Sequence, residues 1–443
     1  MKRKVLLVQL PTSHLGAQER VYPLGLSRLS TLIPPALDKR VLDMNVAVDP
    51  WPELKRLLEE YQPDITALSF RNLDPLAGHQ TSYLSSLKTA ALLIRKYVPG
   101  ARILGGGPAF SLFAERLMEE IPQLDIGLKG EGEKVFHLLL EKDLSKSSIP
   151  GAVWREGGRV VLNPPGPRSE ALDDIPDPDF HSFSPLDYTR GNSYVAAMGI
   201  EGKRGCDLHC GYCLYPFLGG RVMRLRKPEK IVDEMEHLLK EYQIKLFHFT
   251  DPVVNRPGEH FEAVCHELLK RKLEVAWTGF FREDQVTPDN LALARDAGLC
   301  GVYFSGDALT ERGLRLLNKK MTLEDLLHGA RVTAGLGLLT MCHFLLNLPG
   351  ETGKEIKQAE EMLDKILEIH HPKGNLGAVI FNHVRLYPGA PMTRKLIASG
   401  ELDPNIDLLY PVYHNPRKYS QVLHDFEARC HTANVFSRLE VSV

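Results

Sequence analysis

Twice along this 443-residue chain, short β-rich runs alternate with amphipathic helical patterns, which points to parallel α/β architecture. In the front part, strands are predicted at residues 5–10, 40–44, 65–70, 102–104 and 125–128, with helices at 51–61, 84–97 and 112–120. Parallel strands need helical crossovers, so residues 1–145 read as a doubly wound, Rossmann-like sheet. A ligand of such a sheet is expected beyond the C-terminal strand ends, at the topological switch point. Those ends carry Arg71-Asn72, Gly105-Gly106-Gly107 and Gly130-Glu131-Gly132-Glu133. Glycines there either let the backbone approach a large ligand or simply make tight turns.

Residues 146–190 have a different texture. Runs at 152–154 and 159–162 flank Glu156-Gly157-Gly158, a hairpin turn, and a proline- and acid-rich linker follows through Asp173-Asp174-Ile175-Pro176-Asp177-Pro178. Alternation resumes in residues 191–400, with strands near 194–200, 246–250, 275–278, 302–305, 341–346 and 378–384. Six repeats give a partial, TIM-like (β/α)6 barrel with its active site at the C-terminal strand ends. Residues 401–443 read as a short helical extension.

An apolar share of 43% and a charged share of 25% fit a globular protein with real cores, and a net charge of −2 offers no bulk attraction for nucleic acid. The most apolar stretch, 336–348, is interrupted by Cys342, His343 and Asn347 and is too short to span a membrane. The charged start of the chain is followed by no cleavage signal, so a cytoplasmic protein is expected, and a monomer.

Of seven cysteines, none precedes Cys206, three fall at Cys206, Cys210 and Cys213, and Cys265, Cys300, Cys342 and Cys430 are scattered. In a reducing compartment a tight group is a metal site, whereas scattered thiols are small buried apolar residues. Three thiolates on one loop suit an iron–sulfur cluster and leave one of four irons open for a ligand. Zinc would require a fourth ligand, and His209 is badly placed for it beside Cys210.

The run Lys203-Arg204-Gly205-Cys206-Asp207-Leu208-His209-Cys210-Gly211-Tyr212-Cys213, following a first barrel strand, resembles the radical S-adenosylmethionine superfamily. The resemblance implies a 4Fe–4S cluster whose open iron binds the methionine end of S-adenosylmethionine, cleaved to a 5′-deoxyadenosyl radical. It also implies a low-potential electron donor of flavodoxin or ferredoxin type. By the same resemblance Tyr212 packs near adenine, Asp251 in Phe249-Thr250-Asp251-Pro252 meets the methionine amino end, and Arg282 meets its carboxylate. Asn347-Leu348-Pro349-Gly350 resembles the turn beside the nucleoside. Ser305-Gly306-Asp307-Ala308 departs from the family's Gly–Ile–Glu–Ser-like run and leaves Asp307 as the nearby carboxylate for the ribose. The element Arg385-Leu386-Tyr387-Pro388-Gly389 resembles the one after the sixth strand, and Tyr303, Phe280, Phe281 and Arg385 are candidate substrate contacts.

A doubly wound domain, an Asp-x-Pro-x-Pro linker and a cluster barrel, in that order, resemble the cobalamin-binding branch, the class B methyltransferases. Tyr22-Pro23-Leu24-Gly25-Leu26 and the glycine runs add to the match. Arg71, Asn72, Gly105, Gly106, Gly107, Gly130 and Glu131 are then the expected cobalamin contacts. The Asp-x-His-x-x-Gly signature that ligates cobalt from below is absent, and His14 lacks its context. A guanidinium such as Arg71 has no lone pair for cobalt and would leave the lower face unligated. The implied reaction is methyl transfer from S-adenosylmethionine, through cobalamin, to an unactivated carbon or phosphorus of a small-molecule or peptide substrate. The alternative is a cobalamin-dependent cyclisation or rearrangement. Methylthio transfer needs a second cluster that the cysteine-free front cannot hold, and a sensor without turnover is the reading outside enzymes.

Overall fold

The computed structural model describes residues 2–11, 20–74, 82–141, 146–166, 168–189, 195–414 and 421–439. His14, the residues around Tyr194 and the last four positions lie outside them. The chain divides into two compact units, one running to Met198 and the other from Gly199.

In the front unit a seven-stranded sheet has the order β2-β1-β3-β4-β5-β6-β7. Its strands are β1 (Lys4–Gln9), β2 (Asp38–Asp43), β3 (Ile65–Ser69), β4 (Arg102–Gly106), β5 (Ile126–Leu128), β6 (Ala152–Glu156) and β7 (Arg159–Leu162). The first five are parallel, and β1 is buried along nearly its whole length, as expected of a strand covered on both faces. The helix Pro50–Tyr61 shows the covering pattern, burying Leu54, Leu57, Leu58 and Tyr61 at helical spacing with proline at its start. The order reverses at β1/β3, which places the expected ligand crevice at the ends of those two strands.

The hairpin expected between the domains belongs to this sheet: β6 pairs antiparallel with β5, and β7 with β6. Gly157 and Gly158, at φ of 55° and 77°, make its two-residue turn. Nor does the proline-rich segment hang free. Asp179 accepts hydrogen bonds from Ser30 at 2.6 Å and Lys39 at 2.5 Å, and Tyr22 packs edge-on against Tyr188.

In the second unit β8 (Gly199–Ile200) is followed by a small ribbon of β9 (Lys203–Arg204) and β10 (Arg224–Leu225). Then come β11 (Leu246–Phe249), β12 (Ala276–Phe281), β13 (Leu299–Asp307), β14 (Leu339–Leu345) and β15 (Leu376–Asn382). A second ribbon pairs β16 (Val384–Arg385) with β17 (Tyr413–His414), and β18 (Ser437–Leu439) ends the description. The main sheet runs β18-β15-β14-β13-β12-β11-β8, parallel throughout. The six expected strands are present, and the tail corrects the count. Helix Gln421–Thr432 buries Phe426 and Cys430, and β18 then adds a seventh strand beside β15. No described helix is long and apolar enough to cross a membrane.

Candidate active site

The loop carrying Cys206, Cys210 and Cys213 leaves β9 through Gly205, whose φ is +86°. A Cβ there would sit 2.2 Å from the carbonyl oxygen of Val222, so glycine is required. The loop is held from three sides. Cys206 N–H donates to Gly220 O at 2.9 Å, Gly211 N–H to Leu317 O at 2.8 Å, and Met392 N–H to Gly211 O at 2.9 Å. Asn318 donates to His209 O at 2.7 Å, and Arg256 grips Asp207 through two nitrogens, at 3.0 and 2.7 Å.

Burial raises all three thiols, Cys213 to about 12; neighbouring cysteines raise Cys206 and Cys213 further, and Asp307 raises Cys210. Arg282 acts the other way on Cys206 and Cys210, and Lys319 on Cys210. Among the described residues no three His, Cys, Asp or Glu side chains close on one point as a single metal ion demands. A cuboidal cluster does not ask that, because each thiolate binds a different iron.

Behind the loop lies a buried charged layer. Asp251, at the end of β11, accepts from the backbone N–H of Gly202 at 2.7 Å and of Lys203 at 3.0 Å. Its other oxygen is 3.8 Å from Lys203 Nζ, which itself donates to Val254 O and Arg256 O, both at 2.8 Å. Arg282, 2% exposed, donates to both oxygens of Asp284 and to Lys319 O, all at 2.8 Å, while its Nη1 is buried with no partner.

At the end of β13 the register shifts between Phe304 and Asp307, and Asp307 takes a φ of 61°. Such an irregularity re-aims a side chain. Asp307 accepts from Lys319 Nζ at 2.5 Å and from the Tyr212 hydroxyl, so the cluster loop is tied to the strand end. Tyr212, expected beside adenine, is thus also a tether. Burial opposes the Lys319 charge, but Asp307 and Cys210 outweigh it and raise its pKa.

Asn347, Pro349 and Gly350 form the turn after β14. Arg312 donates to Pro349 O at 3.0 Å, and Arg312 Nη2 stands 2.5 Å from where a Gly350 Cβ would be. Tyr303 lies in a ring cluster with His248 (5.4 Å), Phe280 (5.4 Å) and His343 (6.4 Å), contributed by successive strands. Arg385 is engaged elsewhere, donating to Leu386 O at 2.6 Å and Leu408 O at 3.0 Å, with its guanidinium over Tyr387. Phe281 turns to the outer side, against Trp277 and Phe261.

Sequence reasoning missed Lys319, Glu283, His248 and His343. Glu283 is 3% exposed, its Oε2 has no hydrogen-bond partner, and burial raises it from 4.5 to about 7. The raised value means that the stability of its neutral form is complete below 4.5 and lost as pH rises through about 7. Between about pH 5 and about pH 8.5 the parent should therefore lose on the order of 2–3 kcal/mol relative to Glu283→Gln. Urea midpoints at both pH values check this.

In the front unit, Arg71 is exposed at the end of β3, and its charge reaches the buried Asp43, which accepts from Tyr188 at 2.6 Å. Asn72 follows it, half-buried. The glycines divide by surroundings. A Cβ on Gly105 would meet the Phe110 ring at 2.9 Å, and one on Gly107, at φ +104°, would meet Phe70 O at 2.7 Å. Those two serve packing and the turn. At Gly130 nothing lies within 4 Å, and at Gly106 only Leu128 O at 4.0 Å, so the ends of β4 and β5 are open there. Ser111 links the two loops, donating to Gly107 O at 2.9 Å and accepting from Gly130 N–H at 3.0 Å. Glu131 is half-buried beside Gly130.

Residues 200–363 match the radical SAM superfamily. The chain carries a radical SAM domain. Across 90% of its length it is 24% identical to an uncharacterised methyltransferase of Pyrococcus horikoshii, covering 84% of that protein. It is also 29% identical, over 59% of its length and 48% of the relative's, to an anaerobic magnesium-protoporphyrin IX monomethyl ester cyclase of Rubrivivax gelatinosus. The fold is similar to the radical S-adenosylmethionine methyltransferase TsrM from Kitasatospora setae, solved with cobalamin and a [4Fe-4S] cluster bound. The TM-score is 0.74 at 23% identity, covering 90% of this chain and 75% of that one.

The residues of the radical SAM domain fit the group its family binds. Three desolvated thiols, unfavourable as free thiolates, suit iron cations, and the orphaned Arg282 Nη1 beside them suits an anionic ligand.

Proposed function

We propose that the chain is a cobalamin-dependent radical SAM methyltransferase that modifies an unactivated carbon or phosphorus of a small-molecule or peptide substrate. The observation that carries this reading is the pairing of a three-thiol radical SAM domain with a cysteine-free doubly wound sheet whose β4 and β5 ends are open at Gly106 and Gly130. The likeness to the Pyrococcus methyltransferase and to the methyltransferase TsrM supports methyl transfer.

When bound, the cluster and S-adenosylmethionine supply radical initiation, and cobalamin supplies a methyl carrier. The protein's own residues then have separable tasks. Cys206, Cys210 and Cys213 hold the cluster, and Arg282 Nη1 offers the charge for the methionine carboxylate. Tyr212, Asp307 and Lys319 fix the loop against β13 beside the nucleoside, and Asn347 to Gly350 shape the turn there. Arg71, with Asn72 and Glu131, would border a bound cobalamin, to which the guanidinium would offer a positive charge and N–H donors but no lone pair. Tyr303 offers an aromatic wall to substrate. A small reduced electron-carrier protein completes the system, in the cytoplasm.

The cyclase likeness keeps one second reading in play, ring closure without methyl transfer. Anaerobic reconstitution with iron, sulfide and cobalamin, followed by quantifying S-adenosylhomocysteine and 5′-deoxyadenosine, separates the two. Methylation yields both in near-equal amounts. Deoxyadenosine alone defeats it in favour of cyclisation, and neither product defeats both.

A further inference from the structure

One pocket lies on the outer side of the cluster loop, with a volume of about 590 Å³. Cys210 and Cys213 are among its lining residues, as are the exposed Arg221, Arg394 and Lys395. Its lining includes no aspartate or glutamate. Phe217, which also lines the pocket, is 49% exposed, and in the same stretch of chain Tyr215 is 49% and Val222 75% exposed. They belong to the short segment 215–222 that packs back on the loop through Cys206 N–H and Gly220 O.

We infer that this face is the docking surface for a small acidic one-electron carrier protein, an inference that rests on the radical SAM reading above. Three features point the same way. Cys210 and Cys213 line this pocket, so an electron delivered here arrives beside two of the residues that would hold the metal, and transfer rates fall steeply with distance. The cationic rim is complementary to an acidic partner, which raises association rate and fixes orientation. The exposed aromatic and aliphatic centre is what a protein interface uses and a small anion does not need. The transfer balances simply: the carrier loses one electron and the loop-bound metal centre gains it, with no proton or group moved.

The test compares parent protein with an Arg221→Glu/Arg394→Glu/Lys395→Glu variant and with Phe217→Ala. Binding of oxidised flavodoxin, a strongly acidic carrier, is measured by biolayer interferometry at low salt and at about 150 mM salt. S-Adenosylmethionine cleavage is measured in parallel, driven once by limiting reduced flavodoxin and once by dithionite. Charge reversal is expected to weaken binding about tenfold or more, remove its salt dependence and slow flavodoxin-driven cleavage comparably. Dithionite-driven cleavage and iron content should be unchanged. Phe217→Ala should weaken binding without altering its salt dependence. Unchanged binding in the triple variant overturns the proposal. So does a parallel fall with dithionite, which would assign the side chains to the integrity of the loop. If the parent cleaves nothing with dithionite, the radical reading fails, while the binding arm still decides the docking surface.

Discussion

Replacing any one of Cys206, Cys210 or Cys213 by alanine is expected to reduce bound iron from about four per chain to near zero and S-adenosylmethionine cleavage to background. Iron analysis, the visible spectrum and product quantification after anaerobic reconstitution check this. The expectation follows from how the loop is built. The loop is anchored in two places, at Cys206 by its own N–H to Gly220 and along the Cys210–Cys213 arm by Gly211 to Leu317 and Met392. The loss should not be a folding defect, because the loop's backbone bonds stay in place when a sulfur is removed. Melting temperature of the apo-protein should therefore change little. Burial also makes assembly pH-dependent. All three thiols are pushed up, Cys213 to about 12, and must lose protons to bind iron. Reconstitution should accordingly run faster at about pH 8.5 than at about pH 7. Cys265→Ala and Cys430→Ala should keep full iron, since both are buried on helices outside the cysteine loop, Gly258–Arg271 and Gln421–Thr432.

Much of this frame was legible in residues 1–400, and the exceptions have identifiable causes. Period and turn chemistry marked the parallel strands, and Gly157-Gly158 marked a hairpin; what they did not reveal was that β6 would add to the edge of β5. That pairing depends on an edge left open by the front helices, which no local pattern records. Strand β18 was missed because three residues, Ser437–Leu439, carry no periodicity. The glycine run at 105–107 was read as one feature, yet its members differ: Gly105 makes room for the Phe110 ring, and Gly106 faces open space. The intruding ring lies on the next helix, so the distinction is tertiary. Lys319 and Glu283 were passed over for a related reason. Charged residues in polar surroundings read as surface, and their burial appears only when the ends of β12 and β13 come together around Asp307. Tyr212 and Arg282, by contrast, were singled out through the family resemblance, though their bonds to Asp307 and Asp284 were not visible in it.

Asp251→Ala should destabilise the second unit by about 3–5 kcal/mol, in the absence of any ligand. Both partners of the pair it breaks are 1% exposed. The substitution leaves the Gly202 and Lys203 N–H groups without their acceptor and the Lys203 ammonium without a counter-charge. Gly202 fits only because it has no side chain, for a Cβ there would lie 2.7 Å from Asp251 Oδ2. Residues 202–203 lead directly into the cysteine loop, so apo stability and cluster retention should fall together. Lys203→Met attacks the same pair from the other side and should depend on pH. Burial already raises Asp251 from 3.8 to about 6, and losing the lysine raises it further. The variant therefore keeps a neutral, tolerated carboxyl at about pH 5 but buries an unpaired carboxylate near pH 8, where its deficit should be larger. The double variant Lys203→Met/Asp251→Asn removes both charges while keeping the one oxygen that accepts from both amides. It should be more stable than Asp251→Ala, and in the cycle with Lys203→Met and Asp251→Asn the non-additivity should be about 1–3 kcal/mol. Urea unfolding of the apo-proteins measures all of this. The alternative assignment, in which Asp251 acts mainly on the methionine amino group, makes a different forecast: KM for S-adenosylmethionine would rise while apo stability stayed level. An Asp251→Ala protein that unfolds at the parent's urea midpoint would decide for that role and against the brace.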